Sequence, residues 1–159
     1  MEAIIPQPRF RSKTRISGIK PVAAESTEQT KETKREHKGE PGQRKAMRDF
    51  IKKYSSAGLT LDVGCEQDFY HYKQYFPNRI GIDIVKAPGV DIVADVHNLP
   101  FEDNKFDNIL CTEVLEHFHS PHIAIKEMRR VLKKGGTLIL TTRFLFSLHN
   151  TPNDFFRFT

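Results

Sequence analysis

The sequence predicts an α/β fold: an open, doubly wound, mostly parallel sheet. Three observations predict it. Short apolar runs recur from Leu59 onward, helical stretches separate them, and acids or glycines stand where the runs end. The runs are Leu59-Thr-Leu-Asp-Val, Arg79-Ile-Gly-Ile-Asp, Val90-Asp-Ile-Val-Ala, Phe106-Asp-Asn-Ile-Leu-Cys and Thr137-Leu-Ile-Leu-Thr-Thr. None alternates strictly, which fits parallel strands covered on both faces. Strand–helix alternation of this kind builds open sheets with helices on either side.

Taken in order, the first element is a helix opening after Pro41-Gly42. Met47, Phe50, Ile51 and Tyr54 fall at i, i+3, i+4 and i+7, with Arg44, Lys45, Arg48, Lys52 and Lys53 off that stripe. The strand runs follow. Before the last of them a second helix is marked by Ser120 as a cap and Pro121 in its first turn. Ala124, Ile125, Met128, Val131 and Leu132 form its buried stripe, and Gly135-Gly136 ends it.

The 159 residues divide unevenly. Residues 1–40 hold only 10 apolar side chains and no leucine, tyrosine or cysteine. A segment so polar cannot bury enough area to offset ordering entropy, so a disordered basic tail is expected over 1–40 and a folded domain over 41–159. The net charge of +5 belongs to Arg9, Arg11, Lys13, Arg15 and Lys20; elsewhere cations and acids balance. A strongly basic folded domain is thereby excluded. The basic stretch reads as a solvated tail rather than a nucleic-acid arm, since only Phe10 is interleaved for stacking. Nucleic acid is therefore not expected as a partner. No apolar run is long enough to span a membrane. Pro6 and Pro8 interrupt any secretory or organelle leader. Cys65 and Cys111 each end an apolar run and read as buried, reduced thiols of a cytoplasmic protein.

In such sheets ligands bind beyond the carboxyl ends of the strands. After the first run comes Asp62-Val-Gly64-Cys65-Glu66, where a glycine lets the chain turn sharply and approach a ligand. The second ends in Asp83, about 20 residues on, the spacing at which a carboxylate accepts both ribose hydroxyls. The third ends in Asp95, able to accept from an exocyclic amine, and the fourth in Cys111-Thr-Glu-Val-Leu-Glu-His117. One acid at a strand end is often a solvated cap. Four on one rim point to a nucleoside site.

Leu61-Asp-Val-Gly-Cys, Gly81-Ile-Asp83, Ala94-Asp95-Val-His-Asn-Leu-Pro-Phe101, Phe106-Asp-Asn-Ile-Leu, Glu113-Val-Leu-Glu-His117 and Arg130-Val-Leu-Lys-Lys-Gly-Gly-Thr-Leu occur in that order. In order and spacing they resemble class I S-adenosylmethionine-dependent methyltransferases of the type 11 group, roughly from Leu59 to Thr142. The resemblance implies a Rossmann-like methyltransferase fold and S-adenosylmethionine as cofactor. It assigns Asp62 and Gly64 to the cofactor loop, with Gly64 under the methionine part. Asp83 falls to the ribose hydroxyls, Asp95 with Val96 to the adenine, and Glu113 to the methionine end and methyl acceptor. It implies methyl transfer to a small-molecule or polar acceptor.

Two departures stand out. Glu66 and Asp68 replace glycines of the family's usual loop, where a residue needing positive φ costs about 1 kcal/mol or more and a side chain intrudes on the cofactor. The C-terminus holds Phe144, Phe146, Phe155, Phe156 and Phe158 where the family adds a closing strand hairpin. A C-terminally incomplete sheet with an exposed, association-prone edge is therefore expected. The alternative reading is a non-catalytic or truncated relative that has lost the cofactor. A nicotinamide-binding domain fits the Glu-Val-Leu-Glu-His sequence poorly.

Glu113, Glu116 and His117 lie at i, i+3 and i+4 and can share one helical face. With His149 they resemble the divalent-metal site of small-RNA and ubiquinone-pathway O-methyltransferases, where the ion acidifies the accepting hydroxyl. The plainer reading, an ordinary helix start without metal, is preferred. His117 and His149 are the candidates for a general base; His119 and His122 read as surface residues.

Overall fold

The computed structural model describes residues 42–66, 72–143 and 153–158. The expected tail over 1–40, Asp68, Phe144, Phe146 and His149 lie outside the described residues.

Helix α1 spans Gly42–Lys53. Of its apolar stripe only Ile51 is fully buried. It joins Tyr72, Phe76, Leu110 and Ile139 in a small cluster on one sheet face. Phe50 and Tyr54 are exposed instead and pack edge to face at 5.3 Å. The stripe is real but the surface beneath it is narrow.

Five strands follow the sequence reading: β1 Thr60–Val63, β2 Arg79–Asp83, β3 Ile92–Val93, β4 Phe106–Thr112 and β5 Leu132–Thr141. They pair in the order β3-β2-β1-β4-β5, every pair parallel. The chain moves outward from β1 through β2 to β3, then crosses back to lay β4 on the other flank of β1. The direction of winding therefore reverses between β1 and β4, and their carboxyl ends open the crevice in which such sheets bind ligands.

All four β1 residues are buried, as expected of a central strand covered on both faces. Leu61 and Val63 join Ile80, Ile82, Ile109 and Cys111 in the larger core, roofed by Phe101, Phe106, Ala124, Met128 and Val131. Thr60 and Asp62 point to the opposite face, as the two-residue period of a strand requires.

The second helix differs from its prediction at both ends. Helix α2 spans Pro121–Val131, with Pro121 in its first turn. Ser120 caps it through its carbonyl, which accepts from the amides of Ile123 (3.0 Å) and Ala124 (3.2 Å), and its side chain makes no cap bond. Ile125 is exposed. The helix ends at Val131 and β5 begins at Leu132, so Gly135 and Gly136 do not terminate it. They serve the irregular stretch between the Phe106↔Leu132 and Asn108↔Thr137 pairings. Gly135 adopts φ +78° there, and a Cβ on Gly136 would sit 2.8 Å from the Asp107 carbonyl oxygen.

Among the described strands β5 lies at the sheet edge, with Leu138, Phe155 and Phe156 exposed. No helix among the described residues is long and apolar enough to cross a membrane.

Candidate active site at the switch point

Gly64 leaves β1 at φ +71°, in the left-handed region that a side chain disfavours. Its amide donates to the Ile82 carbonyl at 2.9 Å, folding the loop back over β2. A Cβ there would lie 2.5 Å from Cγ2 of Val114, so two loops meet backbone against side chain. Cys65 packs under Gly81, where a Cβ would be 2.6 Å from its Sγ. Burial, with Asp62 nearby, pushes the Cys65 thiol up to about 12, and burial likewise raises Cys111. Both thiols are free and buried.

The predicted site acids meet different fates. Asp62 is fully buried, facing Tyr72 Oη at 3.2 Å and Arg79 Nη1 at 3.4 Å. Its side chain supports the loop from inside the fold. Asp83 stands on the rim and accepts from the amides of Glu66 and Val85, each at 3.3 Å. Glu66 itself is exposed. Asn104 and Glu113 are the positive-φ non-glycine residues among those described, so the backbone strain expected at Glu66 is not present. Glu66 itself has an ordinary backbone.

Beyond β3, Asp95 begins a 3₁₀ turn, Val96–Asn98. Its Oδ1 accepts from the His97 amide at 2.9 Å and from His97 Nδ1 at 2.6 Å. Val96 is buried in the core beside it. The following loop is clamped to α2. Glu127 accepts the Leu99 amide at 2.9 Å, and Arg130 donates to the Leu99 and Phe101 carbonyls at 3.0 and 2.7 Å. Arg130 also forks onto Glu127 and reaches Asp103.

The end of β4 is built otherwise. Glu113 adopts φ +58°, with its amide donating to the Thr141 carbonyl (3.1 Å) and contacting the Thr141 hydroxyl (3.2 Å). Its carboxyl group lies 3.1 Å from Arg143 Nε. Burial raises its pKa, the Thr141 hydrogen bond and Arg143 lower it, and neighbouring Glu116 raises it further. Glu116 is buried: one oxygen accepts from the Thr142 hydroxyl at 3.0 Å, and the other has no hydrogen-bond partner among the described residues. The 153–158 segment covers this turn, with the Phe155 and Phe156 amides donating to the Glu116 carbonyl and the Asn153 carbonyl 2.6 Å from His117 Nδ1.

This geometry corrects the helical-face expectation for Glu113, Glu116 and His117. Glu113 breaks the helix before the 3₁₀ turn Leu115–His117 starts, and the three side chains turn to Arg143, Thr142 and Asn153. Asp95, His97 and His119 instead place ligand-type atoms within 4.8 Å of one another. The two imidazoles are stacked, 3.8 Å between centroids and 17° between planes. Metals lie in the plane of a ligating imidazole about 2 Å from nitrogen, and two such planes do not meet that close to both rings. As arranged, the trio is a stacked pair beside a carboxylate.

The sequence reading missed His97, Arg79, Tyr72 and the Glu127–Arg130 clamp as supports of the site. The Asp-x-His spacing after a strand and the i, i+3 Glu–Arg pair were the available signals.

Residues 61–140 match the methyltransferase domain family. The chain is 33% identical over 105 residues to "Probable tRNA methyltransferase 9B" of Bos taurus, covering 59% of this chain and 23% of that protein. It is 30% identical over 99 residues to a tRNA U34 carboxymethyltransferase of Nautilia profundicola, covering 52% and 33%. In the solved structures, the PH0226 protein of Pyrococcus horikoshii superposes with a TM-score of 0.54 at 26% identity, covering 62% and 55%. The chain spans less than half the length of these curated relatives. They overturn the expectation that nucleic acid is not a partner, because relatives of this chain are named for tRNA. That expectation rested on where the surplus charge lies, and charge position does not report what a catalytic crevice accepts. A profile covering this share of the chain, laid on a sheet wound in this order, identifies it: the chain belongs to the methyltransferase domain family.

Proposed function

We propose that the chain is the cofactor-holding part of an S-adenosylmethionine-dependent methyltransferase whose acceptor is a tRNA nucleotide. The carrying observation is convergence. Gly64, Asp83, Asp95 and Glu113 all leave the carboxyl ends of strands beside the reversal between β1 and β4.

The residues suit the cofactor in kind. The Gly64 turn, bonded to the Ile82 carbonyl and packed on Val114, leaves β1 where the methionine part would approach. Asp83 stands at the strand end with lone pairs beyond its two long amide bonds for ribose hydroxyls. Asp95 has one oxygen taken and one toward which no donor among the described residues is directed, which suits the adenine amine, with Val96 beside the ring. Glu113 stands at the methionine end. When bound, S-adenosylmethionine supplies an electrophilic methyl group on a sulfonium. The chain's own contribution is to hold donor and acceptor in line, since orientation supplies much of the rate in a direct displacement. Glu113, with Arg143 partly neutralising it, is the carboxyl group placed to meet a cationic amine.

The tRNA acceptor is supported by the names of the relatives alone. The test is transfer of labelled methyl groups from S-adenosylmethionine to bulk tRNA by the full chain, with total small metabolites as a parallel acceptor pool. Label in tRNA that is lost in Asp83→Ala is the expected result. Binding of S-adenosylhomocysteine with label only in small metabolites would sink the tRNA acceptor. No binding at high micromolar ligand would sink the cofactor.

A further inference from the structure

We infer that His97 is a positioning residue: it anchors one oxygen of Asp95 so that the other reads the 6-amino group of adenine, setting a preference for adenine over a 6-keto purine. The inference rests on the cofactor reading above and goes beyond it, because neither family membership nor strand-end position assigns His97 a role.

Asp95 Oδ1 takes two donors from the same residue, the His97 amide at 2.9 Å and the ring Nδ1 at 2.6 Å. A carboxylate offers about four lone-pair sites, two on each oxygen. Both donors fall on one oxygen, and among the described residues none is directed to Oδ2. The group is therefore fixed at one end and open at the other. An oxygen that can only accept favours an N–H donor and repels a carbonyl oxygen, so a fixed Oδ2 separates adenine from hypoxanthine.

The ring is itself held from several sides. Its Nε2 faces the Ser120 amide at 3.4 Å, one face stacks on His119 at 3.8 Å, and Phe118 meets it edge-on at 5.8 Å. Only the tautomer with hydrogen on Nδ1 serves both polar contacts, donating to Asp95 and accepting from Ser120. The side chain of His97 is 12% exposed against 30% for Asp95, so the supporting group is the more buried of the two. Through this ring the loop after β3 is tied to the start of α2. Without it, Asp95 keeps only the amide bond from position 97 and its carboxyl group is held less firmly.

The experiment compares binding of S-adenosylhomocysteine and S-inosylhomocysteine to the full chain by calorimetry, for wild type, His97→Ala, His97→Asn and His97→Gln. Wild type should favour the adenine compound about 10- to 100-fold, the range for one hydrogen bond to a charged group. His97→Ala should cut that ratio to about threefold or less. His97→Asn, whose amide stands near the place of Nδ1, should keep most of it, and His97→Gln should not. A role confined to stability would weaken both ligands together and leave the ratio intact. An unchanged ratio in His97→Ala overturns the inference, and if that variant does not fold the Asn/Gln pair decides by the same criterion. Equal binding of both ligands by wild type overturns it while leaving the cofactor reading standing. Binding of neither overturns both.

Discussion

The two flanks of the crevice are built on different principles. On the β2–β3 flank the rim acids are tied into internal networks. Asp83 holds two loop amides, Asp95 is anchored by His97, and Glu127 with Arg130 clamps the loop beyond. On the β4 flank, carboxyl groups crowd a short turn with less compensation. Glu113 sits at positive φ with a raised pKa, and Glu116 is buried with one oxygen unbonded among the described residues. The first flank is internally braced, which suits the proposed role of holding a cofactor of constant shape. The second keeps the strain and uncompensated polarity that sites of chemistry carry.

The largest expected effect tests where the flanks touch. Gly64→Ala adds a Cβ at φ +71° and 2.5 Å from Val114. Left-handed backbone and overpacking together should cost about 3 kcal/mol, read by denaturant unfolding. Adding Val114→Ala should recover the packing share but not the backbone share. Full recovery would show that backbone strain contributes nothing. Next, Arg130→Ala removes the fork from Glu127 and two loop carbonyls and should cost about 2 kcal/mol. Arg130→Lys should restore only part, since an ammonium cannot reproduce the planar fork; full restoration would reduce the clamp to a point charge.

On the other flank the sign should reverse. Glu116→Gln replaces an under-bonded buried carboxyl group with a neutral amide of the same shape and should stabilise by about 1 kcal/mol. Destabilisation would mean that the open oxygen has a partner in solution. The smallest effect concerns pH. The folded-state pKa of Glu113 is raised above the ordinary 4.5, first by burial. The folded protein therefore binds this proton more tightly than the unfolded chain. Its contribution to stability is present below pH 4.5 and is lost as pH rises through the raised value. Glu113→Gln should flatten the stability–pH curve in that window, and Glu116→Gln should narrow the window by removing one of the raising charges. An unchanged slope in both would contradict the placement of these two groups.

How much of this was readable beforehand follows from the distance over which each feature is decided. Gly64, Asp83, Asp95 and Glu113 were legible as residues at strand ends, because apolar period and turn punctuation are local. That Asp62 is buried against Tyr72 and Arg79 was not legible, because those partners lie 10 and 17 residues away. The Arg130 contacts to the loop span 27 to 31 residues. Glu113, Glu116 and His117 show the converse. Their spacing suggested a shared helical face, but one positive φ at Glu113, secured by Thr141 from 28 residues on, keeps it off the turn that carries the other two.

The sequence by itself determined the class of fold, the order of its strands along the chain and the acids that stand at their ends. Each of these depends on patterns a few residues long. Only the tertiary structure decided which acid stands on the rim, which is buried against the core, and which histidine bonds an aspartate. Those outcomes depend on side chains that meet only once the sheet is wound, and on a few backbone dihedrals that distant hydrogen bonds set.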